Sequence, residues 1–328
     1  MRIFYKTLLI TMMLLSLNAK SFTPESGFWI SPGVPGTGYS IEIQDNFMFV
    51  ALYVYDEFGV PTWYTAGKTL DGNALFDTEL NYTYNGPCID CDYSEPITLI
   101  GEGGPITIEF LTETTGKIQF RGEQRFIKRF NFILGDEVTK MLGEWQAVID
   151  FSSTGVDFPF NGDVLIFDNT FFEDRDKYVE GCRPDNTIDG FCSSFAYNYH
   201  EMAALFDTES NQLLIVVDDS DNYWLAYYLD VGLNQFDGVA ELYPKNGSHN
   251  NIFYPVRGFR TASRSFIETG VGPSSSNLKT SKEANQGLAD KITVPTNTKS
   301  LSEFSKSEQE KIMRRQTIVQ SLISRLNK

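Results

Sequence analysis

The sequence predicts an all-β protein: two antiparallel meander barrels or sandwiches, followed by a disordered linker and one C-terminal helix. Three observations carry that expectation. Short apolar or alternating runs broken by Gly, Pro, Asn and Asp fill residues 27–258, the pattern of strands joined by turns. No long amphipathic helix interrupts them, so successive strands pair with their neighbours and close into a barrel or fold into a sandwich. The chain has 328 residues, enough for two domains at roughly 150 residues each.

Taken in order, the first element is an address. Arg2 and Lys6 precede an uncharged run over residues 7–17 that contains Leu8, Leu9, Ile10, Met12, Met13, Leu14 and Leu15. A basic start, a short apolar run and small residues at Ala19 and Ser21 match a secretory signal peptide over residues 1–21. The run is too short to span a bilayer, which needs about 20 apolar residues. No Cys stands near the cleavage region, so a lipid anchor is not expected, and neither is a transmembrane segment after cleavage.

The first β domain is read over residues 22–135. Its candidate strands are residues 39–43, 47–55, 62–68, 75–84, 97–100, 106–111, 117–121 and 126–132. The connections carry turn chemistry: Asp45-Asn46, Asp56-Glu57-Phe58-Gly59, Asp71-Gly72-Asn73 and Thr114-Thr115-Gly116. Residues 136–142 mark the boundary. The second β domain follows over residues 136–262, with strands at 146–151, 163–167, 202–206, 213–217, 223–229, 236–242 and 253–259, and a long polar insertion at 168–199. Gly27-Phe28-Trp29 and Gly143-Glu144-Trp145 open the two series, a faint internal repeat. Residues 47–55, 213–217 and 223–229 are apolar on both faces, so they call for cover on both sides, for instance where two domains pack. An outer-membrane barrel would need many more such strands.

Composition shifts after Thr261. Residues 263–301 are rich in Ser, Thr, Asn, Lys and Gly and read as a flexible linker. Residues 302–328 read as a Ser-capped basic amphipathic helix, with Ile312, Val319, Leu322, Ile323 and Leu326 on one stripe and Lys311, Arg314, Arg315 and Arg325 supplying charge. Docking on its own acidic body is the simplest use of such a helix; pairing with itself or with a membrane surface are the others. The tail is expected to be dispensable for folding of the body.

Charge narrows the partners. The chain carries 43 acidic against 27 basic residues, net -16. Residues 261–328 hold 11 basic and 6 acidic side chains, net +5, and residues 22–260 hold 13 and 37, net -24. A body this acidic repels nucleic acid, which is not expected as a partner. The 26 Phe, 16 Tyr and 4 Trp exclude disorder of the whole chain.

Export makes the four cysteines readable as two loop staples, Cys88 with Cys91 and Cys182 with Cys192. Three connectivities exist for four cysteines, and the local one is simplest. A redox-active pair at Cys88 and Cys91 would want a helix N-terminus to stabilise the thiolate, and Asp90 and Asp92 oppose it. A zinc site is the other alternative, although the nine-residue gap of the second pair does not match zinc-ribbon spacing.

Catalytic motifs are sparse. His200 is followed by Glu201 but by no second His four residues on, and the Gly-x-Ser-x-Gly elbow is absent. Asp218, Asp219 and Asp221 lie between two strong strands; a turn is their first duty and Ca2+ is a weak alternative, since the Gly and Glu of an EF-hand loop are missing. No other cofactor is indicated. The aromatics Trp29, Tyr39, Trp63 and Tyr64, with Tyr53 and Tyr55, lie on strands that should be neighbours, and they could line a mouth that stacks a sugar ring or holds a small apolar ligand.

One stretch carries a resemblance. Gly27-Phe28-Trp29-Ile30-Ser31-Pro32, then Gly36-Thr37-Gly38-Tyr39, then Tyr55-Asp56-Glu57-Phe58-Gly59-Val60-Pro61-Thr62-Trp63-Tyr64, resembles a Gly-x-Trp-x-x-Pro, Gly-x-Gly-aromatic, Tyr-Asp-x-x-Gly-x-Pro-x-Trp-Tyr pattern of largely uncharacterised exported bacterial β-rich proteins. It covers residues 27–64. It implies a secreted strand-rich module in the periplasm, at the cell surface or outside the cell, and no activity. Together the readings point to a non-enzymatic binding or surface-interaction protein with an aromatic-lined pocket for a small-molecule, saccharide or envelope-protein ligand. The alternative is a carboxylate-dependent hydrolase of an extracellular or envelope polymer.

Overall fold

Alternating inward and outward side chains wind the first strand series into a closed barrel. The computed structural model describes residues 22–72, 74–156, 159–184, 187–188, 191–192, 200–246, 251–264 and 299–327. The expected leader at 1–21 lies outside the described residues, and so does the linker between 265 and 298. The chain divides into two units, Met1–Phe130 and Asn131–Lys328. No helix among the described residues is long and apolar enough to cross a membrane.

Unit one is built from β1 (Gly27–Ile30), β2 (Gly38–Gln44), β3 (Phe47–Tyr55), β4 (Pro61–Thr69), β5 (Leu75–Tyr84), β6 (Ile97–Phe110), β7 (Thr115–Phe120) and β8 (Glu123–Arg129). Each pairs antiparallel with the next, and β8 returns to β1 to close the ring. Met48, Val50 and Leu52 point into the core with Ile41, Phe76, Ile108 and Ile127, as the period of two requires. The stretches expected as separate strands at 97–100 and 106–111 are one strand, β6. Its register shifts opposite Leu80 and Tyr82, and that local kink is what the sequence shows as a glycine-rich break.

Unit two repeats the plan with β9 (Gly143–Asp150), β10 (Phe160–Glu173), β11 (Asp176–Cys182), β14 (Met202–Asp207), β15 (Gln212–Asp218), β16 (Tyr223–Val231), β17 (Gln235–Pro244) and β18 (Tyr254–Ser263) closed into an eight-stranded ring. A small hairpin, β12 (Thr187–Ile188) and β13 (Phe191–Cys192), branches off. The polar insertion expected at 168–199 is therefore partly barrel wall. β10 runs on to Glu173 and β11 follows at once, hidden in the sequence because charged Asp176, Lys177 and Glu180 interrupt it although Val179 faces the core.

Both barrels are sealed at one end by the same device. Gly27 and Gly143 adopt φ of +128° and +124°, backbone that L side chains rarely enter. Two residues on, Trp29 and Trp145 are wholly buried, and each indole N–H donates to the carbonyl four residues earlier, Glu25 at 3.0 Å and Met141 at 2.8 Å. The last strand sets an arginine opposite each tryptophan: Arg129 pairs with Trp29 and Arg260 with Trp145. Arg129 donates to the carbonyls of Ser26, Phe28 and Phe130, and Arg260 to those of Leu233, Leu142 and Lys140. These guanidinium groups tie together carbonyls where the barrel ends, that of Phe28 accepting from the Phe130 N–H as well.

The helix, here α1 (Lys306–Leu326), is capped by Ser305, whose hydroxyl and Glu308 form a reciprocal box. It lies on the outer face of unit two. Val319, Leu322 and Ile323 pack with Tyr178, Ala203, Leu214, Val216, Trp224, Ala226, Tyr228 and Tyr243. That explains why β15 and β16 are apolar on both faces: inside they meet the barrel core, outside they meet α1. Polar contacts fix the register. Arg314 forks onto Asp207, Arg315 donates to Gln212 at 2.9 Å and lies 4.4 Å from the Tyr228 ring, and Arg325 binds Glu180 and Glu173.

Candidate functional site

The turns β1–β2, β3–β4, β5–β6 and β7–β8 all lie at the end of unit one away from the Trp29 seal. There the barrel mouth opens into a cavity of about 420 Å³ lined by Val34, Pro35, Thr37, Tyr39, Val54, Tyr55, Ile118, Phe120, Arg121, Glu123 and Arg125. That falls in the usual range for small-ligand sites, roughly 300 to 1,000 Å³. The walls are largely aromatic and aliphatic, and the charged groups gather on the β7–β8 side.

The structure separates the four aromatic candidates. Tyr39 lines the cavity and is held by a 2.9 Å hydrogen bond between its hydroxyl and Ser31. Tyr64 is not on the lining but packs behind it: its ring centroid is 5.6 Å from Phe120 and 5.7 Å from Tyr82, and its hydroxyl accepts from Arg121 at 2.7 Å. Trp29 lies in the core as part of the end seal, edge-on to Phe110. Trp63 points the other way. It is 51% exposed on the outer face, cross-strand from Tyr53, because neighbouring residues of one strand face opposite sides.

Arg121 is the member that motif reading missed. Phe120 pairs with Glu123, so Arg121 and Gly122 form a two-residue turn, with φ of +50° and +80°. Such turns favour Asn-Gly because both central residues need positive φ. A bulky arginine at the first position is strained, and the legible signal was an Arg-Gly pair where Asn-Gly was due. The guanidinium carbon lies 5.2 Å from the ring centroids of both Tyr64 and Phe120. Arg125, in contrast, is paired with Glu123 at 2.5 Å.

The other candidate chemistry, one cysteine pair in unit one and the rest in unit two, is already engaged. Cys88 is bonded to Cys91 and Cys182 to Cys192, the local pairing, so with these bonds formed no thiolate is left to ligate zinc. Two disulfides indicate an oxidising environment. Asp168, Cys192 and His200 bring donor atoms within 4.8 Å of one another, but the Cys192 sulfur is spent in its disulfide. His200 instead bridges two carboxylates, Asp168 at 3.1 Å and Glu180 at 3.3 Å. Burial pushes its pKa down, but the hydrogen bond to Asp168 and the charges of Glu180 and Asp168 outweigh it and leave the imidazole above its ordinary value. The aspartates weighed for Ca2+ diverge: Asp218 pairs with Lys245 at 2.5 Å, Asp219 accepts from Arg183 at 2.9 Å, and Asp221 is exposed. Arg183 also forks onto Asp163 at 2.9 and 3.0 Å, and Tyr227 donates to the same carboxylate at 2.7 Å.

No family model matches this chain, and no curated protein or solved structure does either.

Proposed function

We propose that the protein is an exported, non-enzymatic binding protein whose first barrel holds a small ligand in its mouth. The observation that carries this reading is the cavity of about 420 Å³ walled by Tyr39, Tyr55, Phe120 and Val54. Flat rings on a rigid barrel give stacking area at little conformational cost, the property that sugar and small apolar ligands use. The two disulfides, the N-terminal leader pattern and the resemblance of residues 27–64 to exported bacterial proteins support the location.

The test is a filled cavity. Val54→Trp would occupy the space from the β3 wall. A screen of small-molecule and saccharide libraries by thermal shift should find ligands that raise the melting temperature of the wild-type protein and leave Val54→Trp unmoved. Ligands that stabilise both equally would place binding elsewhere. Turnover of a glycan or peptide that disappears on carboxylate substitution would replace the reading with the hydrolase alternative.

A further inference from the structure

We infer that the mouth of the first barrel selects small anions with an apolar or aromatic body, and that Arg121 reads the anionic group. The inference rests on the proposed use of this cavity and narrows it to a ligand class.

The argument begins with charge. Residues 22–130 hold 6 basic and 15 acidic side chains, net -9. Two of those six cations, Arg121 and Arg125, stand on the cavity lip. Glu123 cancels Arg125, so the residues that line the cavity keep one positive charge, Arg121, where the barrel as a whole is strongly negative. Among the described residues Arg121 has no carboxylate partner. Of its five donors, the Tyr64 hydroxyl takes one, and a guanidinium cannot shed its charge. A fixed cation beside an apolar cavity, held on two aromatic faces, is a ready partner for a carboxylate or similar group, and charge-assisted pairs are the strong ones.

Backbone conformation supplies an independent observation. The turn itself is better served by Asn or Gly at position 121, because Arg there adopts φ of +50°. Arg175 adopts φ of +78° in the plain β10–β11 turn of unit two, so what sets Arg121 apart is its place on the cavity lip. Strain retained at a cavity lip, with the strained side chain folded back over Tyr64 and Phe120, fits a binding role. The rest of the lining sets the other half of the ligand: Val34, Pro35, Val54, Ile118 and Phe120 favour an apolar or aromatic body, with the Thr37, Tyr39 and Tyr55 hydroxyls as the neutral polar groups.

Matched probes test this by calorimetry on the full-length protein: naphthalene-1-acetate against naphthalene-1-acetamide, and octanoate against octanamide. The anions should bind about tenfold or more tightly than their neutral partners. Arg121→Asn should bring the anions down to the level of the amides, leave the amides unchanged, and melt at or above the wild-type temperature. Val54→Trp should abolish binding of all four. Equal affinity of anions and amides for the wild-type protein would overturn the inference while leaving the cavity as a binding site, and this comparison needs no variant to fold. Loss of anion and amide binding alike in a folded Arg121→Asn protein would also overturn it. Binding of none of the four by the wild type would sink both the inference and the function it rests on.

Discussion

The two barrels share a frame and differ in what they do with it. Each has eight antiparallel strands, a Gly-x-Trp at the first strand and an arginine on the last strand opposite the tryptophan. At the other end they part. Unit one leaves a cavity there, whereas the corresponding end of unit two is occupied by Phe151 against Tyr254 and by the Asp163, Arg183, Asp219 and Tyr227 network. Their outer faces differ too. Unit two is partly covered by α1, but Phe47, Phe49, Tyr53 and Trp63 of unit one are between 44 and 51% exposed. One closure therefore has two outcomes: a barrel with a cavity at its mouth, and a filled barrel that anchors a helix.

The largest effect that separates them should come from removing the helix. A chain ending at Arg264 would expose the Tyr178, Leu214, Val216, Trp224 and Tyr228 face that Val319, Leu322 and Ile323 cover. Burying each such aliphatic side chain is worth about 1.5 to 3 kcal/mol. The second unit should lose about 4 kcal/mol or more, or aggregate, while melting of the first is unchanged. A tail that reads as dispensable in sequence is thus expected to be essential to unit two, and an unaltered second transition would show that the packing adds nothing.

The shared seal gives the next test. A Cβ on Gly143 would come within 2.3 Å of the Ala262 carbonyl oxygen, which is backbone and cannot swing away; on Gly27 it would meet the Arg129 guanidinium at 2.2 Å, a side chain that can move. Both glycines also sit at positive φ. Gly143→Ala should cost about 3 kcal/mol in urea melts, and Gly27→Ala clearly less. Equal losses would mean that backbone strain dominates over contact.

A smaller difference concerns pH, and it should be confined to unit two. His200 has a folded pKa raised above 6.5. Its contribution is therefore complete below that value and fades as pH rises through the folded pKa. His200→Gln should flatten that pH dependence in thermal scans, with no change in the first barrel. The Asp207 carboxyl runs the opposite way. Arg314 holds it well below the usual carboxylate range, so its share is present above pH 3.8 and lost only as acid reaches the folded pKa.

The smallest effect is expected at Trp63. Since its ring lies on the outer face, Trp63→Ala should change stability by about 0.5 kcal/mol or less and leave affinity for naphthalene-1-acetate unchanged. A clear loss of affinity would mean that the ligand meets the outer aromatic face rather than the mouth.

What the sequence determined by itself follows from local physics. Alternation placed most strands within a few residues, turn residues located their connections, and close cysteine spacing led to the two pairs seen. The recurrence of Gly-x-Trp marked the duplicated frame. Tertiary structure decided everything that depends on distant partners. Arg129 and Arg260 are ordinary strand residues until the last strand returns beside the first, a meeting more than 100 residues away in sequence. Which aromatics face the mouth turned on strand register: the adjacent residues Trp63 and Tyr64 fall on opposite sides, and no composition rule separates them. The doubly apolar strands β15 and β16 announced that something covers them, but only the folded chain shows that it is α1, because an amphipathic stripe specifies that it will be buried and not against what.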